Sequence, residues 1–391
     1  MSWEKVKLGD ITDSCLGKML DQQKNRGEFQ PYLANVNVRW GAFDLDDLPQ
    51  MRFEENEQER YGLRYGDLVV CEGGEPGRCA IWKGQVPNMK IQKALHRVRV
   101  HDGLDYRYLY YWFLLAGRRG ALDQYFTGAT IKHMPGQKLK GVVIDKPSIE
   151  IQRRIADILS AYDNLIENNQ KQIKLLEEAA QRLYKEWFVR DNVPDGWEQR
   201  SLGDVASILR RGISPKYDDN GKYLVISQKC IRQSIMDIRE ARRESKEYTP
   251  ELNLQDKDTV ICSTGTGTLG RVGQVFGAYP DTTFDSHVTL VRTEQYPNFF
   301  YQAIKHQQDF LMGMGRGSTN QQELYRGVIE GLQLLIPTQK ILNRAENMLS
   351  AIHDKITTLN SQIGLLVEAR DRLLPKLMSG EFGGVKNVSL F

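Results

Sequence analysis

The sequence lacks the short motifs that bring catalytic side chains together. It contains no G-x-x-x-x-G-K-[ST], no H-E-x-x-H and no G-x-S-x-G, so P-loop phosphate binding, zinc-dependent proteolysis and α/β-hydrolase chemistry have no support. The tetrapeptide of adenine methyltransferases (Asn or Asp, then Pro-Pro and an aromatic residue) is also absent, because the chain has no Pro-Pro pair. The six histidines are scattered along the chain, which is typical of structural or surface residues. The sequence therefore predicts a protein that is not itself an enzyme.

Net charge, cysteine content and apolar runs exclude further classes. Fifty-three Lys and Arg against fifty Asp and Glu give a net charge of +3, so no global basic field marks a nucleic-acid binder, and any such binding must be local. The five cysteines include no C-x-x-C pair, which favours buried thiols in a reducing compartment. The chain has no run of 18 apolar residues and no apolar segment at its N-terminus, so we expect a cytoplasmic protein that is neither exported nor inserted into a membrane.

One glycine-rich stretch has the spacing of a dinucleotide-binding site. GTGTLG at 265–270 spells G-x-G-x-x-G, and Asp285 stands 20 residues beyond Gly265, where a Rossmann fold places the carboxylate that binds the ribose. The glycines of such a site must open a helix that holds the pyrophosphate, whereas RVGQVFGAYPDTTFD follows here, with two further glycines and a proline. We therefore predict strand and turn at this place, and a nucleotide-dependent enzyme is the less favoured alternative.

The chain repeats itself at an interval of about 190 residues, and such a repeat determines how the whole fold is organised. WEKVKLGDI at 3–11 returns as WEQRSLGDV at 197–205, and GDLVVCEGGEPGR at 66–78 returns as KDTVICSTGTGTLGR at 257–271. GVVIDKPSIEIQRRIADILSA at 141–161 returns as GLQLLIPTQKILNRAENMLSA at 331–351. Because GGEPG in the first copy has no dinucleotide pattern, both copies share the need for a glycine-rich turn between two strands. We conclude that the chain is a tandem duplication.

Each copy combines a globular region with a long helix. Strand-like runs such as DLVVCE and aromatic helical pieces such as YRYLYYWFLLAG predict a mixed α+β domain. From Ile149 to about Phe188 the sequence has neither glycine nor proline, which predicts one helix of roughly 60 Å at about 1.5 Å per residue. The predicted segments are a first globular domain at 1–147, a first long helix at 148–190, a second globular domain at 191–336, a second long helix at 337–382 and a flexible tail at 383–391.

Both long helices carry an apolar stripe at steps of three and four residues, the pattern of a coiled-coil seam. Such a stripe also fits a helix that packs on its own domain. The length of the helix and its occurrence in both copies favour pairing of the two helices with each other, which would hold the globular regions at a fixed separation. The predicted coiled-coil interface consists of Ile155, Ile158, Tyr162, Leu165, Leu176, Leu183, Met348, Ile352, Leu359, Ile363, Leu366 and Leu373.

Polar loops with glycine and basic residues stand at equivalent places in both copies. FTGATIKHMPGQKLKG at 126–141 corresponds to GMGRGSTNQQELYRG at 313–327. Glycine permits close approach of the backbone, Lys and Arg neutralise phosphates, Arg suits guanine, and Asn or Gln suits adenine. An exposed polar loop without a ligand explains this feature alone equally well.

The residues predicted to contact DNA come from these loops and from other polar positions shared by the copies. Asn37 and Gln228 are taken as equivalents because each follows a shared Tyr-Leu pair, at 32 and 223. The predicted contacts are Asn37, Arg39, Arg78, Arg118, Arg119, Lys132, His133, Arg211, Gln228, Arg271, Arg316, Thr319, Asn320 and Gln321.

The combination of these stretches resembles the specificity subunit of type I restriction-modification enzymes over essentially the whole chain. The resemblance rests on WEKVKLGDI, GDLVVCEGG, TIKHMPGQKLKGVVIDKP, EIQRRIADILSAYDNLIENNQKQIKLLEEAAQRLYKEWFV and RLLPKLMSGEF. It implies two target-recognition domains separated by an antiparallel pair of helices. Each domain would read one half of a split, asymmetric site in double-stranded DNA. The helices would set the spacer between the half-sites and dock the methyltransferase subunits.

The resemblance also implies what this chain does not carry. S-adenosylmethionine would be bound by the methyltransferase (modification) subunits, and ATP and Mg by partner subunits that include the restriction subunits, so this chain would need neither cofactor nor metal, and no membrane partner is expected. A coiled-coil scaffold whose globular ends bind other proteins is the alternative function. The closing GGVKNVSLF after Phe382 departs from the pattern of the family.

Overall fold

The computed structural model describes residues 3–21, 25–231, 236–265, 267–315 and 322–381. By the contacts between its Cα atoms the chain divides into two compact units. Unit 1 consists of the chain up to Ile166 together with the chain from Leu366 onward, and unit 2 is Glu167–Leu365. Each unit thus combines one globular region with a part of each long helix.

Unit 1 contains the first series of strands and helices. Its strands are β1 (Glu4–Lys7), β2 (Thr12–Leu16), β3 (Glu28–Leu33), β4 (Val38–Arg39), β5 (Ala42–Phe43), β6 (Gln50–Phe53), β7 (Leu68–Cys71), β8 (Cys79–Ile81), β9 (Lys90–Ile91), β10 (Leu95–Val100) and β11 (Val143–Lys146). Its helices are α1 (Gln58–Tyr61), α2 (Tyr106–Arg118), α3 (Gly136–Lys140) and the first part of α4 (Ile149–Phe188).

Unit 2 contains the second series. Its strands are β12 (Glu198–Ser201), β13 (Ile208–Arg211), β14 (Tyr223–Ile226), β15 (Arg242–Glu244), β16 (Thr259–Cys262), β17 (Val272–Gln274), β18 (Thr282–Phe284), β19 (Val288–Arg292) and β20 (Gln333–Ile336). Its helices are α5 (Leu202–Val205), α6 (Pro297–His306), α7 (Gln308–Gly313), α8 (Arg326–Glu330) and the first part of α9 (Gln339–Met378).

The two units share their strand pairings. The strand orders β2-β10-β7-β8 and β6-β3-β9 in unit 1 correspond to β13-β19-β16-β17 and β15-β14-β18 in unit 2. In both three-stranded sheets the middle strand is antiparallel to one neighbour and parallel to the other. A two-stranded ladder, β1 with β11 and β12 with β20, joins the start of each globular region to its end. The predicted α+β class and internal repeat are confirmed.

Unbroken apolar runs in the sequence become the central strands of the four-stranded sheets. All four residues of β7 and all four of β16 are buried, because both faces of these strands are covered. Strands of this kind read as continuous rather than alternating apolar runs. The strands therefore hold the loops at their ends in fixed positions.

The long helices α4 and α9 pack against each other in opposite directions. In unit 2, Asn169 Nδ2 donates to Gln362 Oε1 at 3.2 Å, and Ile173 packs in one cluster with Ile356 and Leu359. In unit 1, the earlier part of α4 shares a cluster with the later part of α9, because Ile155 and Leu159 pack with Leu374 and Leu377. In both units, residues later in α4 pack against residues earlier in α9, so the two helices are antiparallel.

The apolar stripe differs in position from the one predicted from sequence. Ile155 and Leu359 are buried, but Leu165 is 52% and Met348 39% exposed. The residues with little exposure in α4 include Gln152, Ala156, Leu159, Ile166, Asn169, Ile173 and Ala180. The buried face of α4 thus includes polar residues and alanines. The predicted stripe, which consists of large apolar residues, is displaced from the buried face by about one residue along part of each helix.

The remaining predicted interface residues are partly buried. Ile158 and Leu373 border the cluster of unit 1, whereas Leu183, Leu176, Ile352 and Ile363 border clusters of unit 2. Tyr162 and Leu366 have intermediate exposure. Long side chains beside a seam cover it without being fully buried themselves.

Candidate nucleic-acid interface

Two loops of unit 1 meet at one end of the four-stranded sheet. The first, residues 72–78, joins β7 to β8 and is called the glycine turn. The second, residues 127–134, precedes α3 and is called the polar loop. Met134 N donates to Glu72 O at 2.7 Å, and Gly73 forms an antiparallel bridge with His133. The backbone thus ties the two loops together.

Unit 2 brings the matching loops together in the same way. Its glycine turn is 263–271, and the described part of its polar loop begins at Gln322. Leu324 N donates to Ser263 O at 2.8 Å, and Thr264 forms an antiparallel bridge with Glu323. The duplication therefore preserves the contact between these loops as well as the sheets behind them.

The glycine turn of unit 2 contains GTGTLG and joins the antiparallel strands β16 and β17. A dinucleotide site requires a helix directly after the glycines, whose N–H groups bind the pyrophosphate, and a strand stands there instead. Gly270 has a φ of +76°, which favours glycine, and a Cβ on Gly270 would lie 2.5 Å from Met312 N. The glycine at 270 is needed for backbone packing, and the prediction of strand and turn is confirmed.

Different side chains anchor the polar loop in the two units. In unit 1, His96 Nε2 lies 2.8 Å from Met134 O, and burial lowers the pKa of this histidine, which favours the neutral ring. In unit 2, Arg211 donates to Leu324 O at 3.2 Å and forms an ion pair with Glu323. The same backbone carbonyl is thus held by a neutral imidazole in one unit and by a guanidinium in the other.

The strand pairings correct one equivalence proposed from the sequence. Leu33 pairs with Ile91 and Ile226 with Phe284, so residue 33 corresponds to 226 and Asn35, not Asn37, corresponds to Gln228. Asn35 Nδ2 donates to Gly73 O at 3.5 Å. Gln228 Nε2 lies 3.6 Å from the position of a Cβ on Gly265. Each unit therefore places a carboxamide against its glycine turn.

Two residues predicted to contact DNA have polar groups that are bonded within unit 1. Asn37 is 7% exposed, accepts a hydrogen bond from Ala34 N at 2.9 Å and donates to Asp44 O at 3.1 Å. Arg118 forms an ion pair with Asp371 of α9 at 2.8 Å. Their polar groups are used by neighbouring segments, which a sequence pattern does not reveal.

The other predicted residues of unit 1 lie on or beside the two loops. Lys132 Nζ is 3.6 Å from Asp123 Oδ2, and His133 Nδ1 is 3.4 Å from Glu72 Oε2. Arg78 donates to Glu75 at 2.8 Å and to Asn35 O at 3.0 Å. Arg39 donates to Val36 O at 2.7 Å, and Arg119, just after α2, is exposed. Carboxylates thus neutralise several cations of this surface, which fits the small net charge of the chain.

In unit 2, the described predicted residues also lie at the loops. Arg211 anchors the polar loop, as described above. Gln228 Oε1 is buried and has no hydrogen-bond partner among the residues that the structure describes. Arg271 is half-buried at the end of the glycine turn. The predicted residues Arg316, Thr319, Asn320 and Gln321 lie outside the described residues.

An open cleft of unit 1 contains residues that the sequence did not single out. Its volume is about 560 Å³, and its walls include Trp40, Glu75, Asp123, Phe126 and Lys132. Trp40 Nε1 donates to Glu75 Oε1 at 2.8 Å. The residues Trp40 and Glu75 are 35 positions apart, so only the fold brings them together. A glutamate is also not among the residue types that the sequence marks as DNA contacts.

In the part of the chain that the structure describes, no group of three or more His, Cys, Asp or Glu side chains is placed to hold a metal ion. No helix in that part of the chain is both long and apolar enough to span a membrane.

Comparisons with known proteins agree with the duplicated architecture. The sequence model of the type I restriction modification DNA specificity domain matches residues 1–178 and again residues 194–368. The type I restriction enzyme MjaIX specificity subunit of Methanocaldococcus jannaschii is 28% identical over 344 residues, covering 81% of this chain and 77% of that protein. The type I restriction enzyme HindI specificity subunit of Haemophilus influenzae is 21% identical and covers 97% of this chain and 99% of that protein.

A solved structure supports the same fold. The crystal structure of the type I restriction-modification system S subunit from M. genitalium has a TM-score of 0.53 at 17% identity, covering 96% of each chain. At this identity the likeness concerns the fold alone. The family match, by contrast, covers most of the chain and occurs once in each copy of the repeat. The chain belongs to the family of type I restriction modification DNA specificity domains and carries two copies of that domain.

Proposed function

We propose that this chain is the sequence-specificity subunit of a type I restriction-modification complex and that each unit reads one half of a split DNA site. The observation that supports this most is the duplicated pair of loops. Both units hold a glycine turn against a polar loop by equivalent backbone hydrogen bonds, but the side chains on those loops differ. A constant frame with different polar side chains is what two readers of different short sequences require.

The glycine turn and the polar loop form the proposed DNA-reading surface of each unit. Asn35 and Gln228 place carboxamides against the two glycine turns, and the carboxamide of Asn35 is of the type that suits the N6 and N7 positions of adenine. Lys132 on the polar loop and Arg119 just after α2 are exposed cations and would neutralise phosphates, Lys132 in exchange for Asp123, which lies 3.6 Å from its Nζ. Because carboxylates pair with several of the other cations, partner subunits would supply much of the non-specific attraction to DNA.

The helices α4 and α9 would set the distance between the half-sites. Each has 40 residues and would extend over about 60 Å at 1.5 Å per residue. Their outer faces would dock the methyltransferase subunits, which would bind S-adenosylmethionine and methylate adenine. ATP and Mg would be needed only by the partner subunits of the complex. In this proposal the chain works in the cytoplasm, has no catalytic activity, and needs no cofactor of its own.

The proposal is tested by co-expressing the chain with a type I methyltransferase subunit from the same organism and mapping N6-methyladenine in the DNA of the host. We expect a split asymmetric motif that appears only when both proteins are present. An active methyltransferase that binds the chain stably and gains no motif would instead support a protein-binding scaffold.

The spacer is tested in the same assay. Seven residues inserted into α4 after Ile166 and seven into α9 before Leu366 keep the phase of the helical faces and lengthen each helix by about 10.5 Å. We expect the spacer to grow by about three base pairs, at 3.4 Å each, with both half-sites unchanged. An unchanged spacer would contradict the measuring role of the helices.

A further inference from the structure

The open cleft of unit 1 lies between the two loops that the proposed function assigns to DNA. Glu75 of the glycine turn forms one wall, and Phe126 and Lys132 at either end of the polar loop form another. Trp40 closes one side. Its ring fits there because residue 117 is a glycine, where a Cβ would lie 2.7 Å from the indole. The cleft is therefore shaped by side chains from separate segments and opens on the proposed reading surface.

The carboxylate of Glu75 is held in a fixed orientation in this cleft. Its Oε1 accepts a hydrogen bond from Trp40 Nε1 at 2.8 Å, and its Oε2 accepts one from Arg78 at 2.8 Å. The side chain nevertheless remains 54% exposed. Each carboxylate oxygen accepts more than one hydrogen bond, so Glu75 can receive a further donor without losing either partner.

An acceptor-only group on a DNA-reading surface selects for donors. Phosphate oxygens offer none and are repelled by the negative charge. In the major groove, cytosine presents its N4 amino group alone, whereas adenine presents its N6 amino group beside the N7 acceptor. An ionised carboxylate faces N7 unfavourably, so it prefers cytosine to adenine.

Unit 2 lacks this carboxylate. Gly77 N donates to Cys71 O at 2.9 Å and Gly270 N to Cys262 O at 2.8 Å, which aligns the ends of the two turns. Arg78 N then donates to Glu75 O and Arg271 N to Thr268 O, so Thr268 stands where Glu75 stands in unit 1. The Thr268 hydroxyl donates to Thr264 O at 3.2 Å. The carboxylate is a property of unit 1 alone.

We propose that Glu75 is a specificity-determining residue of unit 1 and accepts a hydrogen bond from the N4 amino group of a cytosine in the half-site that this unit reads. Trp40 and Arg78 are positioning residues that orient the carboxylate. The inference rests on the proposed function, because it assumes that unit 1 reads DNA through these loops.

The test uses the full chain assembled with its methyltransferase subunits and measures methylation rates on oligonucleotides that carry the mapped site. Replacing one particular cytosine of the unit 1 half-site with N4-methylcytosine is expected to lower the methylation rate about tenfold. The methyl group takes the place of the amino hydrogen that faces the major groove. With Glu75→Gln the preference at that position is expected to shift from cytosine toward adenine, which pairs with a carboxamide. The unit 2 half-site serves as an internal reference and keeps its preference.

Two further variants separate reading from folding. Trp40→Phe keeps an aromatic ring but removes the indole N–H, and it should weaken the cytosine preference about threefold at the same position only. This is a fraction of the effect of losing a whole base contact. Thr268→Ala, the matched change in unit 2, should leave the unit 1 half-site unaffected. A Glu75→Gln complex that lowers the rate on all sequences equally would show that Glu75 only supports the fold.

The failures of the two proposals can be told apart. If the wild-type complex yields no split motif, the proposed function fails. If it yields one, and Glu75→Gln changes preference at no position or no cytosine responds to N4-methylation, this inference alone is overturned.

Discussion

The globular regions of unit 1 and unit 2 share their main strand pairings. They contact the long helices α4 and α9 through different polar groups. In unit 1, Tyr111 donates to Asp163 at 2.6 Å, and Arg370 donates to the same carboxylate at 2.5 Å. At the positions 190 residues away, unit 2 has His353 in place of Asp163 and Ala180 in place of Arg370. There His353 contacts Gln274 and Asp256.

The equivalent helices α2 of unit 1 and α6 of unit 2 also differ in the residue that caps their first turn. Asp105, just before α2, accepts from Arg107 N and Tyr108 N of its own helix. In unit 2, Glu346 of α9 accepts from Phe299 N at 2.9 Å in α6. The residue of α4 equivalent to Glu346 is Ala156. Duplication thus preserved the backbone hydrogen bonds and the buried ion pair of Asp67 with Arg99, which returns as Asp258 with Arg292. The polar contacts to the long helices described here, by contrast, differ between the copies.

The largest predicted difference between the units concerns Arg370. Its side chain is only 13% exposed and that of Asp163 26%, so Arg370→Ala leaves a half-buried carboxylate without its cation and should reduce the stability of unit 1 by about 3 kcal/mol. Hydrogen exchange of α2 and of the first part of α4 measures this loss, and the amides of α6 in unit 2 should not respond.

Arg372→Ala is the matched control for that prediction. Arg372 lies half a turn away on the same helix, is 77% exposed and pairs with Glu368. An exposed pair of this kind contributes at most about 1 kcal/mol. Equal effects of the two substitutions would contradict the assigned role of the buried pair.

The next effect should be a pH dependence confined to unit 2. Burial raises the pKa of Glu177 to about 7, which Lys305 partly opposes and Glu178 reinforces. The folded state therefore binds this proton more tightly than the unfolded chain, so the contribution of Glu177 to stability is greatest below about pH 4.5 and is lost as the pH rises through 7. Glu177→Gln should remove this slope and raise the stability of unit 2 at pH 8 by up to about 3 kcal/mol.

Glu178→Gln is the control for the pH prediction, since Glu178 is exposed on the next position of α4. The position equivalent to Glu177 in α9 is Val367, which lies in unit 1 and cannot titrate. Denaturant unfolding between pH 5 and pH 8, with hydrogen exchange to separate the units, measures both variants. A slope that survives Glu177→Gln would assign it to another group.

The smallest of these effects concerns the cap of α6. Glu346→Ala removes the acceptor for Phe299 N and for Asn298 Nδ2, which donates to Glu346 at 2.8 Å. A lost cap costs about 1–2 kcal/mol, so the first amides of α6 should exchange about tenfold faster. Asp105→Ala should do the same to α2 and leave α6 unchanged. A response of both helices to either substitution would mean that the two caps are not independent.

The fold could be predicted largely because the repeat and the apolar runs carry it. Strands such as β7 and β16 are visible as unbroken apolar runs, and helix α4 as a long stretch without glycine or proline. The buried faces of α4 and α9 are harder to predict, because Gln152, Asn169 and His353 are buried against partners that are distant in sequence. Gln152, for example, accepts from Asp105 N at 2.9 Å. Polar residues with such partners look like surface residues in a sequence.

The candidate reading surface could be predicted as loops but not as side chains. The glycine turns and polar loops were found by their repetition. Asn37 was matched to Gln228 because both follow Tyr-Leu, yet the register of β3 and β14 is set by their neighbours β9 and β18 and shifts the match to Asn35. Glu75 and Trp40 meet only after folding, so no local pattern marks them.

The most direct test of the proposed function replaces the globular region of unit 2 with that of unit 1. Because the ladders β1–β11 and β12–β20 bring the ends of each globular region together, residues 1–147 can replace residues 191–336 as a block. With its methyltransferase, this chain should methylate a site made of two inverted copies of the unit 1 half-site, because α4 and α9 are antiparallel. If an active complex of this chain still methylates the original asymmetric motif, the two units do not read the two halves of the site.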